Sequence, residues 1–126
     1  MMELLIVVVI IGIIATAVLP SFSRSFEIAK GRESETSLRT IYEAERAYYF
    51  DRTPNRYGTL DDLVPTYLPS TASLNTANWT YGVAPSNPAS GPAAFVATAT
   101  RQGGPHNGQT RTMNQSGTLA PASWPP

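Results

Sequence analysis

The chain has 126 residues, which is enough for one modest globular domain and one additional long element. Its nine Lys and Arg balance its nine Asp and Glu, so the chain as a whole has no electrostatic preference for nucleic acid or acidic lipid. It has no cysteine, which excludes disulfides, thiolate metal sites and cysteine nucleophiles.

The charged residues are unevenly distributed and divide the chain into three zones. Apart from Glu3, the charges begin at Arg24, and beyond Asp62 only Arg101 and Arg111 are charged. We therefore expect a hydrophobic helix half, an amphipathic helix half, and a head made of a short helix, loops and a small sheet with a flexible C-terminal tail. The corresponding boundaries are 1–22, 23–52 and 53–126.

Residues 4–19 contain no charged or strongly polar side chain. Extended to residue 22, the run has about 19 residues and a helical length of roughly 28 Å, close to the thickness of a bilayer's hydrocarbon core. A cleaved signal peptide would carry basic residues ahead of the run. A helix buried in a soluble domain would need more surrounding protein than the remaining ~100 residues supply. The sequence therefore predicts a membrane-spanning helix.

Three residues distinguish this segment from a plain anchor. Glu3 places a carboxylate at the mouth of the apolar run, where burial is costly unless a cation pairs with it. Alternatively, Glu3 lies at headgroup level, where the positive end of the helix dipole favours it. Gly12 permits close helix approach or local unwinding, and Pro20 removes a backbone donor and favours a kink.

The stretch from Glu3 through Gly12 to Ala15, followed by Pro20 and Phe22, resembles the N-terminal helix of type IV pilins and type II secretion pseudopilins. The glutamate, glycine and proline all match at the family's spacing. In that family the glutamate is the fifth mature residue, after a methylated first residue. The constant shift of two residues implies that two mature residues and a leader precede Met1, and it leaves open which residue carries the free amine.

The resemblance implies a structural subunit of a type IV pilus-like extracellular filament. Its partners would be copies of itself in a helical filament, the inner membrane that it spans once before assembly, and prepilin peptidase with the pilus assembly machinery. Glu3 would pair with the N-terminal amine of a neighbouring copy. The candidate assembly residues are therefore Met1, Glu3, Gly12, Pro20 and Phe22.

Two alternatives remain open from the sequence. One is a pseudopilin of a type II secretion system, although the family's calcium site near the C-terminus has no counterpart here because no carboxylate side chain follows Asp62. The other is a monomeric membrane-anchored binding domain or enzyme, which would need a polar cleft in the head.

The middle of the chain predicts a continuation of the same helix. No proline occurs from Ser21 to Phe50, and a single helix of roughly 45 residues would be about 70 Å long. Gly31 is expected to weaken the helix or to bend it. Residues at three-four spacing predict one face packed on the head: Phe22, Phe26, Ala29, Leu38, Ile41, Ala44 or Glu45, and Tyr48.

The remainder predicts an α+β head. Thr59 and Asp62 have the spacing of a capping box, and the helix that they open is expected to end at Pro65. Residues 79–83, 93–100, 111–114 and 118–119 predict an antiparallel sheet packed on the long helix. The final residues, 121–126, have little to order them unless Trp124 docks.

Catalytic and ligand-binding patterns were sought and not found. His106 is the only histidine and lies in a Gly-rich loop, where we expect it to be exposed, so zinc sites and a Ser-His-Asp triad are hard to build. No phosphate-binding loop occurs, and the head is not basic enough to favour nucleic acid. We therefore predict a protein without enzymatic activity, cofactor or metal.

Overall fold

A computed structural model describes the backbone of the chain and the side chains of all residues except 18–21. A single helix, α1, runs from Met2 to Asp51 and at 1.5 Å per residue is about 75 Å long. Two short helices follow, α2 (Leu60–Leu63) and α3 (Thr71–Leu74). The long N-terminal helix predicted from the sequence is confirmed.

The head contains a four-stranded antiparallel sheet. Its strands lie in the order of the chain: β1 (Trp79–Ser86), β2 (Ala94–Arg101), β3 (Thr110–Asn114) and β4 (Leu119–Ala120). In the register of β1 and β2, Trp79 is opposite Arg101 and Ser86 is opposite Ala94. The α+β layout is confirmed, with strand bounds that differ from the predicted ones by at most three residues.

The core lies between the sheet and the C-terminal half of α1. Alternation along β2 turns Phe95, Ala97 and Ala99 toward the helix, and all three are buried. The two alanines leave room for the helix to approach the sheet. Large buried side chains on both sides then fill the core: Leu38, Ile41, Tyr48, Leu63, Leu68, Trp79 and Met113.

The predicted helix face is correct in its second half and wrong in its first. Phe22, Phe26 and Ala29 are exposed, whereas the buried positions are Glu27 and Ser34 together with Gly31. The buried face repeats at alternating spacings of four and three residues: Glu27, Gly31, Ser34, Leu38, Ile41, Glu45 and Tyr48. It is polar near the start of the head because the sheet presents two arginines there.

The capping box predicted at Thr59 is confirmed. The Thr59 hydroxyl accepts a hydrogen bond from the Asp62 N–H at 3.4 Å, and the Thr59 N–H donates to the Asp62 carboxylate at 2.9 Å. These two bonds satisfy donors at the start of α2. Helix α2 ends at Leu63, which is fully buried, and Pro65 follows two residues later. The segment after α1 is thereby held against the helix.

Candidate assembly surface

The first part of α1 forms an apolar rod, defined here as residues 2–17. Every residue from 1 to 17 is exposed, with Leu4 at 69% and Ile10 at 50%. Helix α1 is the one helix among the described residues that is long and apolar enough to cross a membrane, and none of its apolar window is buried in the protein.

The rod is exposed because the head contacts the helix only farther along. The first buried residue of α1 is Glu27, and residues 2–17 are all exposed. Contiguous apolar surfaces of this size mark protein or membrane contacts, since exposing them to water is unfavourable. The rod therefore requires cover that the described part of the chain does not supply.

Met1 and Glu3 lie at the free end of the rod. Met1 precedes the first helical residue, and Glu3 is the acidic residue of the first turn, where the helix dipole favours a negative charge. Both side chains are exposed, and no ion pair among the described residues involves Glu3. A cation that pairs with this carboxylate in an apolar setting would have to come from outside the described chain.

Gly12 and Phe22 lie on the outside of the helix. A Cβ atom built on Gly12 would meet nothing within 4 Å, so no contact inside the described chain requires a glycine there. Phe22 is 55% exposed, and its ring centroid lies 6.5 Å from that of Phe26. Pro20, the remaining candidate residue, lies outside the residues whose side chains are described.

The candidate residues thus follow one another along the first part of α1 and do not converge on a common point. From Glu3 to Phe22 the helix rises by about 28 Å. No cleft among the described residues gathers them, so a shared role needs a surface that runs alongside the helix.

The two charged residues of the sheet attach the head to α1. Arg101, at the end of β2, is 1% exposed, and its guanidinium donates to the Glu27 carboxylate at 2.8 and 3.3 Å. The indole N–H of Trp124 donates to the same carboxylate at 3.3 Å. The bonds from Arg101, aided by Trp124, hold the pKa of Glu27 at about 2, although burial opposes that shift.

Arg111 joins the helix, the sheet and the C-terminal tail. Its guanidinium donates to the Gly31 carbonyl at 2.6 Å and to the Ser34 hydroxyl at 3.1 Å, and it also bonds the carbonyls of Pro121 and Ala122. In the sequence Arg101 and Arg111 are isolated charges, and local spacing does not reveal their partners. One feature of the sequence could have predicted these contacts: an isolated arginine in a half-buried strand needs a partner to offset its desolvation.

Trp124 closes this junction and gives Gly31 its role. The Trp124 side chain is buried, packs on Trp79 with ring centroids 5.0 Å apart, and lies over Gly31, where a Cβ atom would come within 2.6 Å of it. Gly31 is thus a point of close approach and not only a weak point of the helix. Through Trp124 the tail is packed against the helix.

At the far end of α1 a second carboxylate is buried. Glu45 is fully buried, and its Oε2 accepts a hydrogen bond from the Gly58 N–H at 3.0 Å, whereas Oε1 has no partner among the described residues. Burial raises the pKa of Glu45 to about 7, and the nearby Asp62 carboxylate adds to the effect. This environment therefore favours the protonated form of Glu45 up to about pH 7.

The head contains open grooves and no metal cluster among the described residues. One groove, of about 550 Å³, lies along α1 beside Tyr67. His106, expected to be exposed, is half-buried, with its ring 5.5 Å from that of Trp124 and its Nδ1 3.0 Å from the Gln109 side-chain oxygen. Comparisons with protein-family models, with curated proteins and with solved structures found no match.

Proposed function

We propose that this chain is a structural subunit of a type IV pilus-like filament. Before assembly the rod would span the inner membrane once, and after assembly it would pack among the rods of other copies. One observation carries the proposal: the first part of α1 is apolar and exposed on every side, while the second part of the same helix packs one face on the head.

Lipid and a bundle of like helices can both cover such a rod. Removing a Leu, Ile or Val side chain from water contributes about 1.5–3 kcal/mol, and either environment supplies that contribution. The choice between lipid and neighbouring helices then depends on close packing and polar pairing, because lipid tails are as apolar as the side chains. Gly12 offers an open place for close helix approach.

Glu3 supplies the polar element of the proposed association. A carboxylate drawn into apolar surroundings is unfavourable without a cation, and the described chain offers none near Glu3. A neighbouring copy would supply it through its N-terminal amine, as resemblance to pilins implies. Assembly would then neutralise a charge that the isolated subunit leaves at the end of the rod.

The junction at Glu27 and Arg111 bears on how heads would be arranged. Because buried ion-pair and hydrogen-bond contacts hold the head on the helix, rods packed side by side would carry their heads in a regular outer layer. The same chain would require processing by prepilin peptidase and addition by an assembly machinery, as in the family it resembles.

The test is a substitution that removes the charge of Glu3 while keeping its shape. In cells that produce the filament, Glu3→Gln should leave the subunit in the membrane fraction and reduce filaments in sheared surface material by about tenfold or more, the scale of one lost buried pair. Glu43→Gln is the matched control, because Glu43 is exposed on the same helix within the head region.

Electron microscopy of the sheared material gives the second readout. Long fibres would fit a pilus, and short fibres that stay with the envelope would fit a pseudopilus of a secretion system. An undiminished filament yield from Glu3→Gln would contradict the proposed pairing.

A further inference from the structure

A band of exposed and half-buried residues encircles α1 where the apolar segment gives way to the head. We call this band the collar and define it as Phe22, Arg24, Phe26, Lys30 and Arg32. Phe22 and Phe26 are 55% and 63% exposed, and Arg24 and Arg32 are exposed as well. The collar is not part of the core and not part of the rod.

The collar is positively charged although the whole chain is neutral. From residue 4 to residue 32 the only carboxylate is Glu27, which is buried and paired with Arg101 at 2.8 Å. Lys30 lies 3.6 Å from the same carboxylate. No ion pair among the described residues involves Arg24 or Arg32. Two guanidinium groups are thus available to an external anion at this level of the helix.

The aromatic side chains of the collar are also largely exposed. The Phe22 and Phe26 rings lie 6.5 Å apart on a part of the helix that the head does not bury, whereas Phe95 of the sheet is only 1% exposed. Exposed phenylalanines next to arginines, at the end of an apolar helix, are typical of segments at the boundary between acyl chains and headgroups.

Distances along the helix place the collar at that boundary. With Leu4 at one edge of the hydrocarbon layer, Arg24 lies about 30 Å away, which is the usual thickness of the layer. Arg32 lies about 12 Å farther out along the helix. The surface potential of the bilayer decays over roughly 8 Å in physiological salt, so the long Arg32 side chain still reaches into it.

We propose that the collar binds the anionic headgroup layer of the bilayer while the subunit is membrane-anchored. Arg24 and Arg32 contact lipid phosphates, and the rings of Phe22 and Phe26 lie at the acyl boundary. This proposal rests on the proposed function only in requiring that the rod spans a membrane.

The collar also bears on the position of the head. The loop between β2 and β3 lies beside it: Gly104 and Pro105 line, with Phe26 and Lys30, a cleft of about 290 Å³. Binding of the collar to headgroups therefore brings the base of the head to the membrane surface. On anionic membranes the head lies closer to the bilayer than on neutral ones.

The absence of cysteine from the chain allows a direct measurement of that position. The full-length Ala29→Cys variant, whose new thiol lies on the exposed surface between the collar residues, is labelled with a fluorescent dye and reconstituted into vesicles. One set of vesicles is phosphatidylcholine, and the other contains about 30% phosphatidylglycerol, enough to create a surface potential. A headgroup-attached nitroxide lipid quenches dyes at the surface. Ser90→Cys, in the exposed loop after β1, is the distal control.

We expect quenching at position 29 to be at least about twofold stronger in the anionic vesicles, since each cation near such a surface strengthens binding roughly fivefold. Arg24→Gln combined with Arg32→Gln, or about 0.5 M salt, should return quenching to the neutral-vesicle value. Arg56→Gln, which removes an exposed arginine from the segment that follows α1, should leave quenching unchanged. Position 90 should show no difference.

Three results would overturn the proposal, and each has a different cause. Equal quenching in both kinds of vesicle, with the protein inserted in both, would show that the collar does not bind anionic headgroups. If the stronger quenching in phosphatidylglycerol vesicles disappears when the protein is diluted in lipid, a second copy of the chain covers the collar. Failure of the protein to float with either kind of vesicle would contradict membrane anchoring itself, and with it the proposed function.

Discussion

The guanidinium of Arg101 lies 2.8 Å from the carboxylate of Glu27, although the two residues are 74 positions apart in the sequence. Both are buried, and Glu27 also accepts the Trp124 indole N–H. This pair is where the head first contacts α1, so the boundary between exposed rod and packed helix depends on it.

Removing one partner of this pair should be costly. Glu27→Ala leaves the Arg101 guanidinium buried without its counter-charge, and we expect a loss of about 3 kcal/mol in the free energy of unfolding of the head. Denaturant titration of the full chain in detergent, followed by tryptophan fluorescence, measures it. The control is Glu35→Ala, which removes an exposed pair with Arg39 and should cost roughly 0.5 kcal/mol or less. Equal losses in the two variants would contradict the assigned role.

Glu45 should make the stability of the head decrease between about pH 4.5 and pH 7. Its pKa is about 7 in the folded chain and 4.5 as the ordinary value, so the unfolded state loses the proton first as pH rises. Below pH 4.5 Glu45 is protonated in both the folded and the unfolded state, so its ionisation does not lower the stability of the head there. Above pH 7 the unfavourable contribution is complete, at roughly 1–3 kcal/mol.

Glu45→Gln removes this dependence while retaining an oxygen that can accept the Gly58 N–H. We therefore expect the variant to match the parent near pH 4 and to be more stable than it at pH 8, measured by thermal unfolding at both values. Glu43→Gln, at an exposed position two residues earlier, should be neutral throughout. A variant that is less stable than the parent at pH 8 would show that Glu45 is needed in its charged form.

At Gly31 we expect a substitution by alanine to change stability in the direction opposite to that given by helix propensity. In an exposed helix Gly→Ala is stabilising by about 1 kcal/mol, but at Gly31 the new methyl would lie 2.6 Å from the Trp124 Cβ. We expect Gly31→Ala to destabilise the head by about 1–3 kcal/mol, because the packed junction has no room for it. Gly12→Ala is the control: it meets nothing within 4 Å and should leave the stability of the head unchanged. Hydrogen exchange of the Trp124 region locates the effect.

The parts of the fold that the sequence predicts are those encoded by local pattern. The capping box at Thr59 needs only residues three apart, and β2 follows from alternation within eight residues. The exposed rod is predictable for a similar reason, since its composition leaves no polar face. These features require no knowledge of what lies elsewhere in the chain.

The junction with the head could not be predicted in the same way. The predicted helix face leaves out Glu27 and Ser34 and includes Phe26. In the structure Glu27 and Ser34 are buried and Phe26 is exposed. The deciding factor is the position of Arg101 and Arg111, and that depends on sheet register. The buried face of α1, with its spacing of four and three residues from Glu27 to Tyr48, can be recognised in the sequence only if polar residues are accepted as buried positions.

The identity of the rod's side chains separates self-assembly from simple anchoring. Replacing residues 4–17 with leucine and alanine, with Glu3 retained, keeps a span long enough for a bilayer but removes the particular Val, Ile and Gly12 surface. We expect the variant to remain in the membrane fraction and to lose most filament formation, because helix association in lipid depends on packing and not on hydrophobicity. Immunoblots of the membrane and sheared fractions measure both. Undiminished filaments from the variant would show that assembly does not depend on this surface. A monomeric membrane-anchored binding domain predicts instead that neither the parent nor the variant appears in the sheared fraction.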